Sequence, residues 1–132
     1  MQSKLDIENL DTAHIAGRIF AILESIQIAA LGKDLNAPIR ERFFPSASTT
    51  PASAFGRLMK LSQNHLAKLR GEKPGLAVDF DKQLGELFAH IVDFPAIFTL
   101  VEQGQFAIGY YHQKQESLSK NYIKSNTGGK DA

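Results

Sequence analysis

The chain has 132 residues, no cysteine, and 15 Lys and Arg residues against 14 Asp and Glu residues, so its net charge is +1. The lack of cysteine excludes a disulfide scaffold, a thiolate metal site and a cysteine nucleophile. With 43% hydrophobic and 22% charged residues, the composition predicts one globular domain over residues 1–132. We find neither an apolar run of membrane-spanning length nor a signal-peptide core, and therefore expect a cytoplasmic protein with no membrane partner.

Charge is distributed unevenly along the chain. Residues 33–73 carry eight basic and three acidic side chains, whereas residues 74–116 carry two basic and six acidic ones. A polyanionic partner would meet the basic segment rather than the average charge. A charge-rich segment is also ordinary for a solvated surface, and this alternative stays open.

The first predicted helix begins at Asp11, an N-cap residue type, and ends at Gly32, a glycine of the kind that follows helix C-termini. Ile19 and Ile26 belong to an apolar row at helical spacing, and Arg18 and Glu24 fall on the opposite side. Isoleucine is not an ideal helix former, but the period of 3.6 residues between the apolar positions indicates a helix.

The second predicted helix is short and runs from about Pro38 to Phe44. Proline fits the first helical turn, where its missing N–H is not needed. We expect Pro45 to end this helix and residues 45–51, which are rich in Ser, Thr and Pro, to form a loop.

The third predicted helix carries two stripes. Thr50 is its expected cap, Pro51 its first residue, and Gly71 follows its end. The apolar stripe comprises Phe55, Leu58, Met59, Leu66 and Leu69. The second stripe, here called the basic stripe, occupies an arc of roughly 80°. It comprises Arg57, Lys60, Asn64 and Lys68.

Two more helices follow. Asp79 is the expected cap of the fourth, which Pro95 closes. Thr99 and Glu102 have the spacing of a capping box and start the fifth, which runs to about residue 118. Apolar residues cover most of the circumference of the fifth helix near its middle, so we expect it to be the central helix.

The expected fold is therefore all-α, a compact bundle of about five helices with no sheet. Its ordered core would cover about residues 10–120, and residues 121–132 would form a disordered, frayed tail. The residues predicted to be buried are Ile19, Ile26, Leu58, Leu66, Leu84, Leu87, Ile91 and Tyr111.

Chemical motifs are absent from the sequence. None of the four histidines belongs to a helical metal motif, and Glu86 with His90 reads as a solvated pair rather than a ligand pair. There is no phosphate loop and no nucleophile elbow, and we assign Gly104 to close helix packing. We predict no catalytic residue, no metal, no cofactor and no small-molecule substrate.

Three features remain as candidates for binding. The cations of the basic stripe span about 16 Å of helix axis, which reaches several phosphates of a nucleic acid. Arg40 and Arg42 could clamp a phosphate or a partner's carboxylates. An exposed Tyr110 or Tyr111 could stack on a base, but Tyr111 falls on the apolar arc of its helix, so we expect it in the core.

Several long stretches resemble a known family. They are residues 26–32 (IQIAALG), 48–58 (STTPASAFGRL), 65–70 (HLAKLR), 73–77 (KPGLA) and 102–113 (EQGQFAIGYYHQ). In this order they are similar to the C-terminal region of the large subunit of type I-C CRISPR interference complexes. The resemblance covers roughly residues 10–118 and rests on collinear stretches rather than on one short motif.

The resemblance implies a non-catalytic helical subunit of the Cascade complex. The initial Met, just ahead of the helical region, fits the separate small subunit that these systems make from an internal start in the large-subunit message. Its implied partners are the backbone subunits that hold the CRISPR RNA, the large subunit, another copy of itself, and the target or non-target DNA strand. Such subunits line the inner, belly side of the complex and help hold DNA strands in the R-loop.

Two other classes of function stay open. The first is a helical adaptor that contacts only protein, with the basic stripe docked on acidic surfaces. The second is a small helical enzyme, which would require a pocket containing an acid or base with a perturbed pKa.

Overall fold

A computed structural model describes residues 11–32 and 38–131, with side chains through residue 116. Over these ranges the chain forms five helices and no strand, which confirms the all-α bundle. The helices are α1 (Thr12–Leu31), α2 (Ile39–Thr49), α3 (Pro51–Glu72), α4 (Pro74–Phe88) and α5 (Leu100–Asp131). Residues 121–131 belong to the last part of α5, but their side chains are not described, so the predicted fraying of residues 121–132 stays a prediction.

Helix α1 has the ends that its sequence predicts. The carboxylate of Asp11 accepts hydrogen bonds from the backbone N–H groups of Ala13 and His14 at 2.9 and 3.3 Å. Gly32 follows with φ of 94°, a backbone angle that favours glycine, and its N–H donates to the Ile28 carbonyl at 2.7 Å. Each terminus therefore has a partner for at least one of the backbone groups that a helix end leaves unpaired.

The central helix is α1, so the prediction that the fifth helix is central was wrong. α1 contacts each of the other four helices and is buried on nearly all sides. Of its twenty residues, only Arg18 and Glu24 are charged, and this composition suits a core helix. The helix is long and apolar enough to cross a membrane, but a core helix that is mostly buried in a bundle has the same properties.

Most of the predicted core is confirmed. Six of the eight predicted residues are buried, namely Ile19, Ile26, Leu58, Leu66, Leu84 and Leu87. Ile91 is half-buried against this core. Tyr111 is exposed, which contradicts its prediction, and the neighbouring Tyr110 is buried instead.

Helix α2 continues through Pro45 to Thr49, so the predicted helix end and loop were wrong. Phe43 and Ala47 are buried on either side of the proline, and this packing holds the helix together. The hydroxyl groups of Ser48 and Thr49 donate to the Pro45 carbonyl at 3.0 and 2.7 Å. The tertiary contacts of α2 therefore compensate for the backbone hydrogen bond that is lost at the proline.

Prolines set both ends of α3. Thr50 and Lys73 each precede a proline and have extended φ angles of −128° and −142°, as expected for a residue in that position. Thr50 lies at the cap position as predicted, but its hydroxyl donates backward to the Ser46 carbonyl at 3.1 Å rather than capping α3. The helix passes through Gly71 and ends one residue later at Glu72.

Helix α4 begins at Pro74, five residues before the predicted cap, Asp79. Proline is favourable in a first helical turn, and the buried row of α4 extends back to Ala77. Asp79 therefore lies inside the helix, where its carboxylate accepts from the Gln83 side-chain amide at 3.0 Å. The helix ends at Phe88, before the predicted stop at Pro95.

The start of α5 follows the predicted capping box. The Thr99 hydroxyl accepts from the Glu102 backbone N–H at 3.2 Å, and the Glu102 carboxylate accepts from the Thr99 N–H at 2.7 Å. The loop before it is fixed to the end of α2, because the Phe98 N–H donates to the Thr49 carbonyl at 2.9 Å. The helix extends past residue 118, where we expected it to end.

Candidate nucleic-acid interface

The basic stripe lies on the solvent-facing side of α3. Arg57, Lys60, Asn64 and Lys68 are all exposed, whereas Leu58 and the other core residues of this helix point into the bundle. The separation follows from the helical period, since the two sets of positions fall on different arcs of one helix. The apolar and the basic positions therefore lie on different sides of α3, and a binding role for the basic stripe stays a prediction.

Arg57 and Lys60 form the open part of the stripe. Within residues 11–32 and 38–116, neither side chain makes a hydrogen bond or an ion pair, although ion pairs do form elsewhere on the surface. Neither cation is therefore paired with a carboxylate in this part of the chain. Two exposed cations one turn apart on a rigid helix can each approach a phosphate.

Lys68, at the other end of the stripe, is bound within the protein. Its ammonium group donates to the Ala30 carbonyl at 2.9 Å and lies 3.0 Å from the Glu72 carboxylate. Ala30 is in the last turn of α1, where unpaired carbonyls attract cations. Lys68 therefore connects α3 to the end of α1, and Glu72 offsets part of its charge.

The structure does not bring Arg40 and Arg42 together. These residues are two positions apart on α2, which corresponds to roughly 200° of rotation about the helix axis, so their side chains point in different directions. Arg42 is exposed, with its guanidinium 5.1 Å from the centre of the Phe43 ring. Arg40 is half-buried, lies 4.7 Å from the centre of the Phe44 ring, and donates a hydrogen bond to the Tyr111 hydroxyl.

A buried polar cluster lies beneath Arg40. The Tyr110 hydroxyl donates to the Glu24 carboxylate at 2.6 Å and accepts from the Lys114 ammonium at 3.2 Å. Lys114 also lies 3.6 Å from Glu24, which is buried. Burial and the hydrogen bond to Glu24 raise the pKa of Tyr110 strongly, so the phenol stays protonated and donates to the carboxylate.

Sequence reasoning missed this cluster because it placed Tyr111 in the core. The contact between α1 and α5 sets the rotation of α5. At Gly17 a Cβ atom would overlap the Phe106 carbonyl, and at Gly109 it would overlap the His14 carbonyl. The two backbones therefore touch directly, and Gly109 rather than the predicted Gly104 serves close packing, since Gly104 faces open space.

An exposed apolar surface lies on the loop before α5 and on its first turn. It comprises Val92, Ile97, Leu100 and Val101, which are 99%, 70%, 82% and 77% exposed. We call these four residues the apolar surface. Large apolar side chains that are exposed close together are typical of protein contact sites, and these four residues were not among the candidates predicted from the sequence.

No group of three or more potential ligands (His, Asp or Glu) is placed to hold a metal ion in the parts of the chain that the structure describes. Glu86 and His90 are both exposed, and His90 lies beyond the end of α4, so the two do not share a helical face. On the inner side of α3, burial lowers the pKa of His65.

Comparison with known proteins identifies the family. Residues 1–118 match the model of the family described as CRISPR-associated protein (Cas_Csd1). No curated protein matches the chain significantly. The match covers most of the sequence and supports a component of a multi-subunit CRISPR complex of the Cascade type. The chain therefore belongs to the CRISPR-associated Cas_Csd1 family.

Proposed function

We propose that this chain is the non-catalytic small subunit of a type I-C CRISPR interference complex. It lines the belly of the complex, beside the subunits that hold the CRISPR RNA and the large subunit, and it stabilises a DNA strand in the R-loop. The family match supports membership in such a complex, and the all-helical fold suits a rigid spacer between neighbouring subunits.

The observation that carries the proposal is a pair of exposed cations on α3 that have no hydrogen-bond or ion-pair partner among the described residues 11–32 and 38–116. Forming an R-loop exchanges one duplex for another of similar stability, so modest contacts between protein and phosphates tip the balance. Arg57 and Lys60 supply such contacts without reading sequence, as a complex with a changeable guide requires. Asn64 adds an uncharged donor on the same face.

Contacts within the protein reduce the share of phosphate binding that we assign to some of the other candidate residues. Lys68 and Arg40 have partners within the protein, so we assign them a smaller share of the phosphate contact. Arg42 is exposed and retains its candidate role. The distance from Arg57 to Asn64 along α3 is about 10 Å, enough for roughly two phosphates of one strand.

A second candidate function is an adaptor that contacts only protein, and the apolar surface favours it. Val92, Leu100 and Val101 are large apolar side chains that are largely exposed, and a partner surface would bury them. Docking of this surface on another subunit, or on another copy of the chain, is compatible with DNA contact through α3. The adaptor differs only in assigning no nucleic-acid contact to the basic stripe.

Reconstitution of the complex with and without this chain tests the proposal. We expect the complex lacking the chain to retain its guide RNA but to bind target DNA more weakly, and addition of the chain to restore the affinity. Unchanged DNA affinity without the chain would contradict the proposal.

The Arg57→Ala/Lys60→Ala double variant separates the two candidates in the same assay. We expect it to join the complex normally and to restore DNA affinity only in part. Full restoration by this variant would favour the adaptor.

A further inference from the structure

The exposed side of α5 carries an aromatic residue at an unexpected place. Tyr111 is 49% exposed, because the tight contact between α1 and α5 turns Tyr110 into the core instead. A half-exposed tyrosine on a helix presents part of its ring to solvent. Such rings serve as platforms for bases of single-stranded nucleic acids.

The Tyr111 ring is held in one orientation. Its hydroxyl accepts a hydrogen bond from the Arg40 guanidinium, and its ring lies edge-on to Tyr110 with 4.8 Å between ring centres. The same guanidinium lies 5.5 Å from the centre of the Tyr111 ring. Because these contacts already fix the side chain, stacking on it would lose little conformational entropy.

The surroundings of Tyr111 favour an anionic ligand. Arg40 and Lys114 both lie within 5.5 Å of the Tyr110 ring centre, so two cations flank the tyrosine pair. The carboxylate within this cluster is that of Glu24, which is buried and accepts from Tyr110. Glu24 lies 3.6 Å from the Lys114 ammonium and offsets part of the charge, so two cations beside one carboxylate leave a net positive charge next to the exposed Tyr111 ring. This combination suits a nucleotide.

We propose that Tyr111 is a stacking platform for one unpaired base of a single-stranded nucleic acid, with Arg40 as its positioning residue. This deepens the proposed function, on which it rests, by adding a base contact separate from the phosphate contacts of α3. Every base has a π face, so the platform tolerates any sequence. The ring contributes affinity through stacking, whereas Arg57 and Lys60 contribute through charge.

Two DNA probes of equal charge test the platform on the purified full chain. One is a 12-nucleotide thymidine strand, and the other is an abasic strand of the same length. We expect the wild-type chain to bind the thymidine strand at least about fivefold more tightly than the abasic strand. The Tyr111→Leu variant should bind both strands equally, since leucine is an apolar residue of high helix propensity but has no aromatic face.

Two controls isolate the aromatic ring. Tyr111→Phe keeps the ring and should retain most of the preference for bases. Ile108→Leu alters another half-exposed residue of α5 and should leave the preference unchanged. Unchanged thermal unfolding midpoints in all three variants would show that the fold is intact.

The outcomes distinguish this inference from the proposed function. A preference for bases that survives Tyr111→Leu, or its absence in the wild-type chain, would overturn the platform. Failure of the wild-type chain to bind either strand would overturn it as well. The Arg57→Ala/Lys60→Ala variant should weaken binding of both strands by the same factor, and the proposed function itself is decided in the assembled complex.

Discussion

The contact between α1 and α5 and the outer face of α3 use the same kinds of charged residue in opposite ways. At the first, Glu24 and Lys114, together with Arg40 of the adjoining α2, are held by hydrogen bonds or close ring contacts to tyrosines. On the second, Arg57 and Lys60 have no partner in the described part of the chain. The difference separates charges that orient a tyrosine pair through contacts within the fold from charges that can meet phosphates directly.

The largest expected loss of stability comes from adding a methyl group at the α1–α5 contact. Gly109→Ala would place Cβ on the His14 backbone carbonyl, and backbone cannot move aside as a flexible side chain can. We expect a loss of more than about 3 kcal/mol in the free energy of unfolding, beyond ordinary overpacking. Urea unfolding measures it, and the matched control Gly104→Ala, which faces open space, should be neutral or slightly stabilising. Equal stability of the two variants would disprove the tight contact.

Truncation of the α3 core face should have the next largest effect. Leu66 is fully buried, so Leu66→Ala should lower the free energy of unfolding by about 2–5 kcal/mol. Gln63 is exposed on the same helix, and Gln63→Ala should change stability little. A small loss at Leu66 in the same urea experiment would mean that α3 is not docked as described.

The two ends of the basic stripe should differ in stability. Lys68→Ala removes the hydrogen bond to the Ala30 carbonyl and the ion pair with Glu72, so we expect a loss of about 1 kcal/mol. Lys60→Ala breaks no described bond and should be neutral. Thermal unfolding midpoints compare the pair, and equal midpoints would show that Lys68 is as free as Lys60.

His65 should make stability depend on pH in a mild way. Burial lowers its pKa below the ordinary 6.5, so below about pH 6.5 the unfolded chain binds a proton before the folded chain does. Stability contributed by the neutral imidazole is therefore present above this pH and is lost as pH falls toward 5. The His65→Gln variant should lose less stability than the wild type between pH 7 and pH 5. The same loss in both proteins would rule out His65 as a source.

The sequence predicted features that are set by local chemistry. The cap at Asp11 and the capping box of Thr99 and Glu102 depend on residues two or three positions apart, and both are confirmed. The solvent-facing position of Arg57 and Lys60 follows from the helical period alone.

Features set by distant contacts were not predictable in this way. Lys68 and the Ala30 carbonyl are 38 positions apart, and Arg40 and Tyr111 are 71 apart. The continuation of α2 through Pro45 and the choice of Tyr110 over Tyr111 for the core depend on packing between helices. Helical periodicity specifies a stripe but not the helix that will cover it.

The salt dependence of DNA binding tests the central claim most directly. If Arg57 and Lys60 each contact one phosphate of a single strand, their removal eliminates two counterion-release events. In the assembled complex, the Arg57→Ala/Lys60→Ala variant should lower the slope of log affinity against log salt by about 1.4, at roughly 0.7 per contact. Assembly and thermal stability should be unchanged. An unchanged slope in a fully assembled variant complex would show that this face of α3 does not contact DNA.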